Sequence, residues 1–274
     1  MITLVPTGGL GNRMRAIASA IALAERAKTK LRIIWFQDWG LGCNFSDLFS
    51  TLRHQRIEIE LKEASFLDKY LLDRPRIKNF FIPELFEKIQ FDACLYEKEV
   101  TTNFFNHFDF LSWCQGRNVY MASCISFFPS KLPRGAFDYF RPIPNLLERI
   151  NKIGRSFPAS VVGVHIRRTD NVSAISDSPI ERFMQRMHQE DKAISFYLAT
   201  DSEEVKQEMI QEFGNRIITS PNKAQRNNLD GMQEALVELY TLSRTSLILG
   251  SSHSTFSITA AEIGDIQCEI IKKA

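Results

Sequence analysis

Three segments of this 274-residue sequence combine residue types suited to phosphate and hydroxyl chemistry. The first is Gly163-Val164-His165-Ile166-Arg167-Arg168-Thr169-Asp170, where an apolar, β-branched run leads straight into two arginines. A guanidinium can hold a diphosphate through two parallel N–H···O bonds, which an ammonium cannot reproduce. On a strand His165 and Arg167 face one way and Arg168 the other. One arginine then grips an anion while its neighbour pairs with a carboxylate such as Asp170. A surface salt-bridge cluster is the plain alternative, but it does not explain why an apolar strand should end in Arg-Arg.

The second segment, Gly250-Ser251-Ser252-His253-Ser254-Thr255-Phe256-Ser257, follows an apolar run and precedes a helical one. Hydroxyls and unpaired N–H groups at a helix start form a neutral cradle for phosphate, and simple capping needs only one such hydroxyl. The third is Gly8-Gly9-Leu10-Gly11-Asn12-Arg13. Glycines let a backbone approach an anion closely. The loop lacks the Lys-Ser/Thr ending of a P-loop, and Met14 stands where a dinucleotide fingerprint needs its third glycine. Asp38 could imitate the ribose-binding acid, so an NAD(P)-linked oxidoreductase remains a rival reading.

The elements that position these segments read as α/β. Residues 2–6 and 31–36 are strands around a helix from 13 to about 28, a βαβ start. Arg13 and Arg15 before the apolar run 16–24 imitate a signal peptide, but that run is short and alanine-rich, which favours the helix. From 40 to 140 the pattern loosens, and 12 of the 21 phenylalanines lie between Phe80 and Phe140. Core packing is the expected role of these rings, with an acceptor-binding face as the alternative. Residues 141–145, with two prolines, read as a linker. Beyond it helices are expected at 146–153, 179–189, 202–213, 231–243 and 257–263. Strands are expected at 160–166, 194–199, 216–219 and 246–249. The expected architecture is two doubly wound halves, residues 1–143 and 144–274, facing a central cleft.

Composition excludes several classes. The 34 basic and 32 acidic residues leave a net charge of +2, too little for a nucleic-acid binder. Five scattered cysteines form no C-x-x-C pair, which disfavours a disulfide scaffold or zinc module. No D-x-D pair or metal-ligand spacing occurs, so no metal is expected. No stretch is long enough to span a membrane. A cytoplasmic, bacterial protein is expected, with peripheral membrane association left open.

His165-Ile166-Arg167-Arg168-Thr169-Asp170 resembles the H-x-R-R-x-D signature of the fucosyltransferase superfamily, and most closely its α1,6 and nodulation type. Residues 179–184, 196–201 and 242–257 resemble later motifs of that group, and Gly9-Leu10-Gly11-Asn12 resembles its N-terminal loop. The likeness covers roughly residues 5–35 and 160–264; the middle hundred residues match nothing. The resemblance implies a GT-B fold with two Rossmann-like domains. It also implies inverting, metal-independent transfer of fucose from GDP-fucose to a glycan acceptor, such as a surface-polysaccharide or oligosaccharide precursor. Arg167 would bind the β-phosphate and His165 would line the nucleotide pocket. Glu238 would read guanine, and Ser254 and Thr255 would contact the diphosphate. Gly9, Gly11 and Asn12 complete the donor-binding set, with Arg168, Asp170 and Asp201 in support. No cofactor beyond the donor sugar is implied.

One stretch departs from the α1,6 pattern. The family's lysine after the motif is replaced by Asn171, and its later glutamate by the segment 172–177. Asp177 is the nearest carboxylate able to act as general base, with Glu181, Asp47 or no residue at all as the alternatives. A binding module without turnover is the third reading this departure keeps open.

Overall fold

The protein is described by a computed structural model covering residues 1–169, 172–222 and 224–273. The chain divides into two compact units, Met1–Arg141 and Pro142–Ala274.

In the first unit β1 (Ile2–Pro6) and β2 (Leu31–Trp35) flank α1 (Leu10–Ala27). The helix starts three residues before the expected Arg13, so Gly11 and Asn12 sit in its first turn rather than in the loop. Gly8 has φ +78, and a Cβ there would stand 2.7 Å from Asn12 Nδ2, so this turn requires glycine. The alanine-rich run supplies the buried face of α1.

The stretch that reads loosely in sequence contains β3 (Ile59–Glu63), α2 (Asp68–Leu71), α3 (Ile82–Gln90), β4 (Ala93–Leu95), α4 (Glu97–Phe105), α5 (Phe110–Cys114) and β5 (Val119–Ser123). All five strands are parallel, in the order β3-β2-β1-β5-β4. The phenylalanines divide between two roles, which corrects the expectation that they are core. Phe91, Phe110, Phe127, Phe137 and Phe140 are buried, whereas Phe80, Phe81, Phe86, Phe105 and Phe108 are exposed.

Glu87 on α3 is fully buried. Burial pushes its carboxyl up to about 8, against the opposing pull of the Tyr96 and Tyr120 hydroxyls. The folded state therefore binds this proton more tightly than the unfolded chain does. Stability must fall as pH rises from about 5 towards 8, by ~1.4 kcal/mol per pH unit, or about 3 kcal/mol by pH 7. Glu87→Gln should raise Tm at pH 8 and match the wild type at pH 5. Parallel melts across that range check this, and a pH-independent offset would contradict it.

The second unit opens with α6 (Pro144–Arg155), which has Pro144 at its first position, so the expected linker extends only to Ile143. There follow β6 (Val161–Ile166), α7 (Val172–Asp177), α8 (Ile180–Met187), β7 (Ser195–Thr200), α9 (Glu203–Phe213), β8 (Ile217–Thr219), α10 (Leu229–Leu242), β9 (Leu247–Ser251), α11 (Thr255–Gly264) and β10 (Gln267–Ile271). The sheet is again parallel, ordered β10-β9-β6-β7-β8. Val162, Val164 and Ile166 of β6 pack with Phe183, Phe196, Leu198 and Met209. Strand order reverses between β6 and β9, and a crevice outside the carboxyl ends of such strands is where α/β sheets bind ligands. Among the described residues no helix is long and apolar enough to cross a membrane.

Candidate functional site

The arginine segment leaves β6 at this reversal point. The strand ends at Ile166, so strand alternation governs His165 but not the two arginines. Hydrogen bonds direct them instead. Ser251 Oγ, at the end of β9, donates to the His165 carbonyl (3.2 Å) and accepts from the Arg167 N–H (3.0 Å). Thr200 Oγ1 donates to the Ile166 carbonyl at 2.8 Å, fixing the other side.

Asp201, the first residue after β7, gathers the loop. It accepts from the backbone N–H of Arg168 (2.7 Å), from the N–H of Thr169 (3.3 Å) and from Thr169 Oγ1 (2.7 Å). Arg167 Nη1 lies 3.0 Å from its Oδ2, and both side chains are largely buried. Burial raises the Asp201 carboxyl, but the Arg167 charge and these donors outweigh it and hold the group below the usual carboxylate range. Arg167 is thus ion-paired with Asp201; Asp170, the expected partner of the neighbouring arginine, and Asn171 lie outside the described residues.

Arg168 turns towards backbone. Its Nη1 donates to the Arg167 carbonyl at 3.0 Å and its Nη2 to the Ser178 carbonyl at 2.9 Å. Arg168→Ala should cost about 1–3 kcal/mol and lower Tm by on the order of 5 °C, while nucleotide affinity stays near wild type. Unchanged stability with lost affinity would instead make Arg168 the anion clamp.

His165 is buried and stacks on Phe256 with ring centroids 4.8 Å apart. Burial first, then the Arg167 charge, pushes its imidazole down to about 3, so the ring is neutral at pH 7. Its Nδ1 has no hydrogen-bond partner among the described residues.

The serine loop continues β9 into α11. Ser254 is the N-cap of α11, is buried, and makes no side-chain capping bond, while Thr255 opens the helix exposed. Gly250 lets α11 approach the strand, since a Cβ there would meet Ser257 Oγ at 2.5 Å. Ser178 supports the loop from behind. Its hydroxyl accepts from the Ser252 N–H (2.8 Å) and donates to the Ile271 carbonyl (2.5 Å).

Glu238 lies on α10 and is buried at 3% exposure, which excludes the plain reading as a solvated helix acid. Burial, then the nearby Glu234, push its carboxyl well above the usual range, against the pull of Lys206. Glu234, one turn earlier, is engaged by Arg149, Ser220 Oγ (2.5 Å) and Asn222 Nδ2 (3.1 Å). Asp177 ends α7, and its Oδ2 lies 2.7 Å from His253 Nε2. His253 itself sits at φ +54 in the serine loop.

In the first unit Gly9 caps α1 without a side-chain bond, and Gly11 and Asn12 follow it. Asp38 is committed to Arg13 (2.9 Å), to the Gly40 N–H (2.9 Å) and to Arg74 (3.5 Å). That commitment removes the acid an NAD-binding reading needs for a ribose. Asp47 accepts from the Asn44 N–H, and Glu181 is exposed on α8. Among the described residues no group of three or more His, Cys, Asp or Glu side chains could hold a metal ion. The sequence marks His165, Arg167, Glu238 and Ser254 but not Ser251, Ser178, Phe256 or Glu234. The roles of these four rest on partners distant in the chain; only the polar run around Ser251 and Phe256 gave any signal.

Two parallel, doubly wound units in one chain define the GT-B type of twin Rossmann fold. No family model matches the sequence, and no curated protein matches it. Solved structures do share the fold. NodZ α1,6-fucosyltransferase co-crystallised with GDP superposes with TM-score 0.67 and 18% identity, over 94% of this chain and 91% of that one. A FUT1 mutant from Arabidopsis thaliana in complex with GDP gives 0.64 and 15%, over 98% and 69%. POFUT1 in complex with GDP-fucose gives 0.60 and 13%, over 98% and 97%. The fold of this chain is that of the NodZ-type fucosyltransferases.

Proposed function

We propose that the chain transfers fucose from GDP-fucose to a glycan hydroxyl, with inversion and without a metal ion. The observation that carries this reading is Glu238, an acid buried on α10 that forms no ion pair among the described residues. Guanine offers N–H donors at N1 and N2, and one carboxylate accepts from both; adenine and uracil do not match that pattern. Arg167, braced by Asp201, faces the charge that develops on the leaving diphosphate. The Ser254 hydroxyl, Thr255 and the N-terminal N–H groups of α11 add neutral donors. His165, kept neutral, lines the nucleotide pocket without adding charge.

In the transfer step the acceptor oxygen attacks the anomeric carbon, the bond to the β-phosphate oxygen breaks, and GDP departs with that electron pair. The transition state resembles an oxocarbenium ion, as in glycoside hydrolysis. Asp177, oriented by His253, receives the acceptor proton.

Thermal-shift measurements with GDP, UDP and NADH test the donor assignment. GDP should raise Tm, UDP and NADH should not, and EDTA should change nothing. Stabilisation by NADH alone would overturn the reading.

A further inference from the structure

Helix α3 is built inside out. Its buried side chains are Pro83 and Glu87, while Leu85 and Ile89 stand 70% and 87% exposed. The apolar surface extends to Ile77, Phe80, Phe81 and Ile82 before and at the start of the helix, all of them exposed. Helix α2 packs against α3, and Phe66 and Leu67, just ahead of α2, are exposed as well. Phe80 and Phe81 both lie in the left-handed region, with φ 53 and 57. Bulky side chains avoid that region, so two in succession is a costly way to present aromatic rings to water. A concentration of exposed apolar side chains of this kind marks an interaction site.

Within residues 66–90 the exposed charges have one sign, while Asp92 and Glu99 border the surface at its Lys88 end. Between residues 66 and 90 every charged residue that is exposed is a lysine: Lys69, Lys78 and Lys88. The acids of the segment are withdrawn: Asp68, Asp73 and Glu87 are buried, and Glu84 is half-buried and bridged to Lys88 at 2.5 Å. Lys69 Nζ lies over the Phe66 ring at 5.7 Å, which leaves an ammonium at the rim of the apolar surface. A second copy of this chain would set lysines against lysines in a two-fold interface. An anionic lipid surface accepts both the apolar side chains and the lysines.

We propose that this face seats the chain on an anionic bilayer, with Phe80, Phe81, Leu85 and Ile89 in the acyl boundary and Lys69 and Lys78 among the headgroups. The inference rests on the first unit alone and is independent of the donor reading.

Vesicle flotation of the full chain tests it, using phosphatidylcholine vesicles with and without about one third phosphatidylglycerol. The chain should float with the anionic vesicles and much less with the neutral ones. Leu85→Ser/Ile89→Ser should weaken binding by on the order of a hundredfold. Lys69→Ala/Lys78→Ala should weaken it on the order of tenfold, only with anionic vesicles and less at high salt. These side chains are exposed, so melts of each variant should match the wild type. Absence of flotation with either vesicle would overturn the proposal. So would a dimer in sedimentation velocity that Leu85→Ser/Ile89→Ser dissociates, because a second copy would then own the surface.

Discussion

Replacing Arg167 by alanine should lower turnover of GDP-fucose by on the order of a hundredfold or more, the typical loss for one preorganised donor to developing oxyanion charge. The guanidinium is held before substrate arrives. Asp201 binds it at 3.0 Å, while Ser251 fixes the Arg167 backbone N–H at 3.0 Å. A group fixed in this way needs little reorganisation when charge moves onto the β-phosphate. Arg167→Lys should recover little, because one ammonium cannot engage Asp201 and an anion with the same planar geometry. Steady-state kinetics with both variants measure this. A near-wild-type lysine variant would show that Arg167 is not the phosphate clamp. Asp201→Asn, which keeps shape but removes the charge, should give a smaller loss.

The second large effect belongs to Glu238. Glu238→Gln presents an amide donor where guanine needs an acceptor, at about 1–3 kcal/mol or roughly ten- to 150-fold in GDP affinity. The raised carboxyl adds a signature that a packing defect cannot copy. Burial, and after it the charge of Glu234, raise the Glu238 carboxyl well above its ordinary range and so favour its protonated form in the empty site. Two guanine N–H groups require the ionised form, so GDP binding should release a proton. Affinity should then rise with pH until the carboxyl of the empty site ionises by itself. Calorimetry in buffers of different ionisation enthalpy counts that proton. The wild type should release it and Glu238→Gln should not; identical buffer dependence in both would remove Glu238 from the nucleotide site.

Much of the second unit is legible because its signals are local. The β-branched run 160–166, the serine cap of α9 at Ser202 and the apolar periodicity of α10 each specify an element from neighbouring residues. The first unit beyond β2 is not legible in the same way. β3 reads Ile-Glu-Leu-Lys-Glu and β4 has three residues, so neither carries a buried-strand pattern. Their pairing with β2 and β5 supplies what the local sequence lacks. Edge strand β10 and helix α7 are missed for the same reason. Within the site, residue types with one dominant chemistry stand out, which is why Arg167 and His165 are visible from sequence, whereas Glu238 is reached only through the family resemblance. Ser178 and Ser251 are ordinary hydroxyls whose importance lies in bonds spanning 93 and 86 residues. Nor does periodicity reveal that α3 buries Glu87 and exposes Leu85 and Ile89, since an amphipathic pattern does not say which face turns inward.

The central claim is that this chain moves fucose from GDP-fucose, and turnover measures it most directly. Purified protein in EDTA should be given GDP-fucose with a panel of glycan acceptors, and both released GDP and fucosylated product followed. The account predicts that GDP and product form together with at least one acceptor, at a rate unaffected by EDTA, and that GDP-fucose cannot be replaced by UDP-sugars. Release that depends on added Mn²⁺ or Mg²⁺, or equal use of a UDP-sugar, would contradict it.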